Sequence, residues 1–503
     1  MNASNIQVLV IGAGPAGLAA ARAARARGAS VTLLDSSDQL GGQFWRHLPP
    51  ERPSAEERML HHGWATFREL SETLEADDGC QIFRGAQVWA IERSPERVDG
   101  TAVGLPGAVH VVVGEPDGVG RQRLALRPNA IVLATGAHDR TLPFPGWDLP
   151  GVFTGGAAQA LAKGERLAVG RRVVVAGAGP FLLPVAAALA TTGATVLGVF
   201  EANRAAALVR GWLPNPWELV GAANKGTELA GYLAGHLRHR IPYRLGRAVV
   251  AAHGSDRVES VTIASVAADW APIPGTEQRI EVDAVCVSHG FTPRLELAIA
   301  AGCALTADRF VKVDDGQGTS VSSVFAAGEI TGIGGVDLAL AEGRVAGHVA
   351  AGGTASDREL RQDRRRRRTF RGFAARLEAA HGIRSGWPGM LTDGTIVCRC
   401  EEVSFSALCG AAESTGSRSL RSLKLSTRVG LGICQGRVCG RTVEELLGRR
   451  LVGGLGDGVT ADRRPIAAPI RLGELAADPV ADVATSGVDE FDQRNSESTR
   501  GPT

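Results

Sequence analysis

The chain has 503 residues, 44% of them apolar and 21% charged, and its 55 basic against 53 acidic side chains leave a formal charge of +2. So even a balance supplies no whole-protein field for nucleic acid or an anionic membrane, and 5% aromatic content with 2 tyrosines offers little base-stacking surface. The 65 glycines, nearly twice the ordinary share of about 7%, point to a soluble α/β protein rich in tight turns, and the length suggests about three domains.

Residues 1–5 are mostly polar and lead directly into an apolar run, without the basic region and cleavage site of a signal peptide, which predicts a cytoplasmic protein. Residues 6–11 read as a buried strand. Gly12, Gly14 and Gly17 then form a GxGxxG turn into an Ala-rich helix, and a second strand over residues 30–34 ends at Asp35. In this order Gly12 permits the tight turn, Gly14 lets backbone approach a pyrophosphate, Gly17 allows close helix–strand packing, and Asp35 can accept from a ribose. The whole constellation predicts a dinucleotide site at the helix N-terminus.

A second unit follows at residues 172–201, with Gly177 and Gly179 in the turn, Leu182 at the third glycine position and Glu201 at the ribose position. This predicts a Rossmann-like domain whose occupancy stays open between NAD(P), ATP and no ligand. Residues 173–200 carry no charge and exceed the length of a membrane span, but Gly177, Gly179, Pro180, Pro184 and Gly193 divide them into a strand, a turn, a helix and a strand.

Three further junctions share one pattern: residues 130–133 run into Ala134, Thr135 and Gly136, residues 284–287 into Ser288, His289 and Gly290, and residues 319–326 into Ala327, Gly328 and Glu329. Each reads as a strand emerging beside a bound cofactor. After Gly334 and Gly335 an apolar helix is expected to about Ala350. The basic stretch 355–376, with Arg364 to Arg368 consecutive, reads as a solvated linker helix between domains.

Five of the 8 cysteines crowd the last quarter. One residue separates Cys398 from Cys400, and four separate Cys434 from Cys439; four thiolates suit a [2Fe–2S] cluster, whereas paired ligands of structural zinc take two to four intervening residues. Gly430, Gly432, Gly436 and Gly440 would let backbone N–H groups approach the sulfurs. Cys80, Cys286 and Cys303 are expected as buried apolar residues, and Cys409 as helix packing.

Together these stretches resemble two-dinucleotide-binding-domain flavoproteins of the pyridine nucleotide–disulfide oxidoreductase class, extended by a domain similar to bacterioferritin-associated ferredoxin. More narrowly, the chain resembles the flavin and iron–sulfur subunits of opine oxidase (A-type), hydroxyproline dehydrogenase (α-type) and hydrogen cyanide synthase (B-type). The residues that carry this are Gly41-Gly42-Gln43, Ala134-Thr135-Gly136-Ala137, Arg140 with Pro143-Phe144-Pro145-Gly146-Trp147, Pro150-Gly151-Val152, Gly155 to Gln159, Ala327-Gly328-Glu329 and the four cysteines.

The resemblance implies FAD contacts at Gly12, Gly14, Gly17, Asp35, Gln43, Ala134, Thr135, Gly136 and Gly328, with Glu329 where many relatives have aspartate. It implies an FAD domain over residues 1–150 and 291–355, a second Rossmann-like domain over 151–290, a basic linker over 356–385, a small α-rich [2Fe–2S] domain over 386–455, and an extended or mobile tail over 456–503. No close cysteine pair precedes residue 398, which excludes disulfide reductase chemistry.

The implied function is an oxidoreductase subunit relaying electrons in an amino-acid, imino-acid or opine dehydrogenase. The implied partners are a D-amino-acid-oxidase-like flavoprotein subunit, a small ferredoxin-like subunit and a respiratory acceptor, through which the complex could lie peripherally on the membrane. Two alternatives stand beside it: a self-sufficient NAD(P)H-dependent reductase, and a nucleotide-binding scaffold. His138 could face the flavin, although a structural histidine is the plainer reading, and no residue spacing identifies a substrate base.

Overall fold

The computed structural model describes residues 6–49, 51–52, 57–92, 107–115, 118–214, 216–417, 419–450, 464 and 466–479. Strands Gln7–Ile11, Ser30–Leu34, Cys80–Phe83, Ala130–Leu133 and Val324–Ala326 form one parallel sheet. Gln7–Ile11 is central, with Val8 opposite both Val31 and Ala130, and its Val8 and Val10 are wholly buried. β-branched residues dominate here because a strand covered on both faces needs no alternation.

Helix Pro15–Ala26 lies on this sheet, and helix Gly335–Ala350 packs against it at backbone distance. A Cβ at Gly343 would lie 2.1 Å from the Ala16 carbonyl oxygen, and one at Gly347 would lie 2.0 Å from that of Ala20. The Ala-rich first helix and the glycines of the second are therefore one feature, since helix separation is set by the side chains at the contact.

The second parallel sheet takes Val152–Thr154, Arg172–Gly177, Thr195–Glu201, Tyr243–Leu245 and Ala284–Ser288. Residues 173–200 resolve into a strand, a turn, helix Leu182–Thr191 and a strand, and among the described residues no helix is long and apolar enough to cross a membrane. A three-stranded antiparallel sheet accompanies each parallel one. The short pair Ala137–Asp139 and Phe291–Pro293 bridges the two halves. The C-terminal unit contains a two-stranded ladder, Ile396–Cys398 with Val403–Ser404, and helices Phe405–Thr415, Leu420–Thr427 and Gly440–Arg450 around Leu408, Leu423, Val429 and Val443. Cys286 and Cys303 are buried, while Cys80 and Cys409 are half-buried.

Two expectations change. The basic stretch does form a helix, Arg361–His381, but it is docked and not simply solvated. Arg366 pairs with Asp337, Arg367 with Asp315 and Gln317, and Arg371 with Glu342 at 2.8 Å; Arg376 donates to the carbonyls of Trp212 and Pro214. Charge counting along the sequence cannot show this, because the acids lie on other elements.

The expected tail also returns to the fold over part of its length. The Ala467 N–H donates to the Trp89 carbonyl at 2.8 Å, Arg121 and Glu474 form two 2.7 Å bonds, and helix Leu472–Ala476 lies beyond. Residues 456–463, 465 and 480–503 of that expectation lie outside the described residues.

Glu342 is 1% exposed and also accepts from the Gly328 N–H at 3.1 Å and the Thr331 hydroxyl at 2.6 Å. Replacing Arg371 with alanine leaves that carboxylate without its cation. Breaking a fully buried pair costs about 3–5 kcal/mol; with Arg371 partly in solvent, a loss of about 2 kcal/mol is expected, measured by chemical denaturation.

Candidate functional site

A single cavity of about 2030 Å³ runs between the two parallel sheets. Gly12, Gly14, Asp35, Gln43, Ala134, Thr135, Gly136, Gly328 and Glu329 all line it, although they come from five separate stretches. Gly17 does not. Its role is internal, because a Cβ there would stand 1.7 Å from the Gly12 carbonyl oxygen. Gly12 has φ +103° and would drive a Cβ to 2.3 Å from the Ala134 carbonyl oxygen, so it too is needed for the backbone itself.

Gly14 differs from both. An added Cβ would meet nothing closer than 4.0 Å, so the space its missing side chain leaves belongs to the cavity. It stands at the N-cap of helix Pro15–Ala26, where free N–H groups favour an anion. Asp35 accepts from the Ala13 N–H at 2.6 Å and the Ser37 N–H at 2.8 Å, which fixes the loop over the cavity; burial raises its pKa against those two bonds. Glu329 accepts from the Gly335 N–H at 2.8 Å and so caps helix Gly335–Ala350, while burial, with a smaller contribution from Glu342, pushes its pKa up to about 7. An open pyrophosphate position, an acidic ribose position and a cavity larger than most ligand pockets make these residues fit FAD.

The second glycine unit has the same local form and a different outcome. Gly177 has φ +136° and a Cβ there would fall 1.8 Å from the Ser288 carbonyl oxygen, while Gly179 lines the cavity and a Cβ there would stand 3.8 Å from His381 Cβ, an ordinary contact. Glu201, expected as a ribose acceptor, is bonded within the protein. It is fully buried and accepts from the Gly179 N–H at 2.8 Å, the Asn203 N–H at 3.0 Å and Nδ2 at 2.8 Å, and the Tyr243 hydroxyl at 3.3 Å, with His381 Nδ1 also at 3.3 Å. Four hydrogen bonds fill a carboxylate that has about four lone-pair sites, and His381 adds an ion-pair contact. His381 comes from the end of the docked basic helix, so tertiary packing and not the local motif closes this position.

The four predicted cysteines converge as two pairs. Cys439 Sγ lies 3.7 Å from Cys398 Sγ, and the Cys400 and Cys434 thiols interact with each other. Sequence neighbours are therefore split between pairs. A two-by-two arrangement of thiols is what two irons require. The Gly430 N–H donates to Cys398 Sγ at 3.5 Å, and a Cβ at Gly432 would lie 2.3 Å from Cys400 Cβ, so both glycines let the loop close over the sulfurs. Cys398 and Cys439 are buried, Cys434 is half-buried and Cys400 is exposed, which puts one edge of the site at the surface.

The loop between Cys434 and Cys439 rests on the wall of the large cavity. His138 Nε2 meets the Arg437 carbonyl at 3.0 Å, the Thr442 hydroxyl donates to the Thr141 carbonyl at 2.7 Å, and buried Arg140 donates to Glu445 at 2.7 Å. Trp147 Nε1 donates to the Ile396 carbonyl at 2.5 Å and Arg399 to the Asp148 carbonyl at 3.1 Å. The block from Arg140 to Trp147, which stands out in the sequence without a local reason, is the seat of the cysteine domain. Arg464, from the returning tail, donates to the Gln435 carbonyl at 2.6 Å and holds the loop from its other side.

Because Gly14 has room inside the protein and Gly17 does not, their variants separate cofactor loss from misfolding. Gly14→Val is expected to fold with native circular dichroism and to lose most flavin absorbance, whereas Gly17→Val is expected to lose soluble protein. Wild-type flavin content in Gly14→Val would remove the pyrophosphate assignment.

Comparison with known proteins agrees with this geometry. The family described as pyridine nucleotide-disulphide oxidoreductase matches residues 6–351, and the BFD-like [2Fe-2S] binding domain matches residues 396–449. The chain is 34% identical over 490 residues to the A-type subunit of opine oxidase from Agrobacterium tumefaciens (strain Ach5), covering 93% of this chain and 91% of that protein. It is 29% identical over 452 residues to hydrogen cyanide synthase subunit HcnB of Pseudomonas protegens, covering 86% and 90%. The solved L-proline dehydrogenase from P. horikoshii shares the fold, with TM-score 0.62 at 19% identity over 94% of this chain and 79% of that one. FAD and a [2Fe–2S] cluster are the cofactors these domains imply. The chain therefore belongs to the pyridine nucleotide-disulphide oxidoreductase family, as an FAD oxidoreductase with a C-terminal [2Fe–2S] domain related to the A-type subunit of opine oxidase.

Proposed function

We propose that this chain is the electron-relay subunit of a multisubunit dehydrogenase acting on an amino acid, imino acid or opine. The observation that carries the proposal is the junction in which His138, itself lining the cavity next to Ala134–Thr135–Gly136–Ala137, bonds the backbone between two cluster cysteines. FAD takes up electrons in pairs, whereas a [2Fe–2S] cluster passes them singly, so the two together turn a two-electron oxidation into one-electron steps.

In this reading Gly12, Gly14, Asp35, Gln43, Ala134, Thr135, Gly136, Gly328 and Glu329 hold FAD, Gly17 sets the spacing of the turn, and Cys398, Cys400, Cys434 and Cys439 bind the irons. Four thiolates leave no open coordination position, so this site serves electron transfer and not substrate activation. A substrate-oxidising flavoprotein subunit, a small ferredoxin-like subunit and a respiratory acceptor complete the path; that relatives bear subunit names supports partners of this kind. The filled hydrogen-bonding of Glu201 and the placement of His381 favour this relay over an NAD(P)H-dependent reductase, because the ribose position of the second unit is taken.

Three measurements test it. Cys434→Ser is expected to lose most bound iron and the paramagnetic signal of the reduced protein while keeping its FAD; an unchanged cluster would bring Cys409 into the ligand set. Anaerobic NADH or NADPH is expected to leave the flavin absorbance of the isolated chain intact, and rapid bleaching would favour the reductase. The chain alone, given an artificial acceptor, is expected not to oxidise amino acids or opines, and robust turnover would overturn the relay.

A further inference from the structure

Between strands Thr195–Glu201 and Tyr243–Leu245 the second domain carries a helical insert: Ala205–Trp212, the 3-10 turn Pro216–Ala222 and Ala223–Arg238. The last helix is amphipathic with its faces reversed. Lys225, Glu228, Tyr232 and His236, spaced at helical intervals, turn inward: Lys225 pairs with Glu228 at 2.8 Å and Asp337 at 2.9 Å, the Tyr232 hydroxyl reaches Glu228 at 3.5 Å, and His236 Nε2 lies 3.2 Å from the Leu183 carbonyl. Leu229, Leu233 and Leu237, four apart, turn outward, and Leu237 is 80% exposed. Leu213, Trp217 at 68% and Val220 at 75% extend the apolar surface along the preceding elements.

A helix normally buries its apolar stripe and solvates its polar one, so this reversal calls for an apolar cover from outside. The surrounding charge says of what kind. Arg204, Arg210, Arg238, Arg240 and Arg244 are exposed, and among the described side chains of residues 204–245 no exposed one is acidic. Exposed leucine, valine and tryptophan accompanied by these five arginines complement an anionic lipid surface, where the apolar stripe enters the acyl boundary and arginines meet phosphate. Leu229 and Leu233 also line the large cavity, so the cavity opens beside this face. The geometry points to the insert 205–238 as a lipid-docking face that seats the subunit on an anionic bilayer with the mouth of its cofactor cavity toward the acyl chains. This stands apart from the choice of substrate, and it is local, since the chain as a whole carries only +2.

The test is sedimentation of the full flavin- and iron-loaded chain with vesicles. Binding to phosphatidylcholine vesicles containing phosphatidylglycerol is expected, with weaker binding to phosphatidylcholine alone and a decline as salt is raised. Leu213→Ser/Leu237→Ser and Arg238→Gln/Arg240→Gln should each weaken partitioning at least tenfold at unchanged flavin content. If the leucine pair disturbs folding, Leu237→Gln alone should still weaken it severalfold. Failure of the wild type to bind the anionic vesicles, or wild-type binding by the folded variants, overturns the inference. So does a leucine variant whose vesicle binding is unchanged while its assembly mass falls in light scattering, an outcome that would assign the face to a protein partner.

Discussion

A buried guanidinium at the joint between flavin domain and cysteine domain holds the two redox sites in one body. Arg140 is 6% exposed and meets Glu445, which also accepts from Trp387 at 3.1 Å and Arg449 at 2.7 Å. Burial, and the nearby cation of Arg441, lower the Arg140 pKa to about 10, so it remains charged at neutral pH and needs its carboxylate. Losing one partner of such a pair typically costs about 3–5 kcal/mol, more than a single polar contact at a domain surface supplies. The bonds from His138, Thr442 and Trp147 surround that anchor, where the cluster loop meets the cavity wall.

The two glycine units show how little a local motif decides. Both put a glycine at positive φ at the end of the first strand, and both end the second strand with a carboxylate that accepts a loop N–H. Both Gly14 and Gly179 line the cavity, but in the second unit the helix Arg361–His381 brings His381 onto the carboxylate of Glu201. The same helix reaches Glu342 behind Gly328 through Arg371. One docked element thus supports the first nucleotide cradle and closes the acidic position of the second, a coupling that runs through buried ion pairs and not through either motif.

The returning C-terminal segment adds a second constraint on the cluster loop. Arg464 and Arg437 share Glu296, and Arg437 also donates to the Ala467 carbonyl at 2.7 Å. The loop is therefore clasped between the flavin domain and a segment far along the chain. The alanine and proline of that segment suggest an extended or mobile tail, but two buried alanines, a backbone bond and a buried Arg121–Glu474 pair seat it.

Every feature in which chain neighbours act on one another is legible in the sequence: the first glycine turn with Asp35, the alternation of short apolar strands and helices, and the choice of cysteine as the residue able to bind iron. Those depend on backbone freedom and on side-chain chemistry, which are read residue by residue. The tertiary structure alone decides the pairing of Cys398 with Cys439, the loss of Glu201 to internal hydrogen bonds, the docking of the arginine-rich helix and the outward leucines of residues 223–238. Each of these turns on which distant group occupies the space beside a side chain, and burial, charge pairing and close approach are set by packing across the fold.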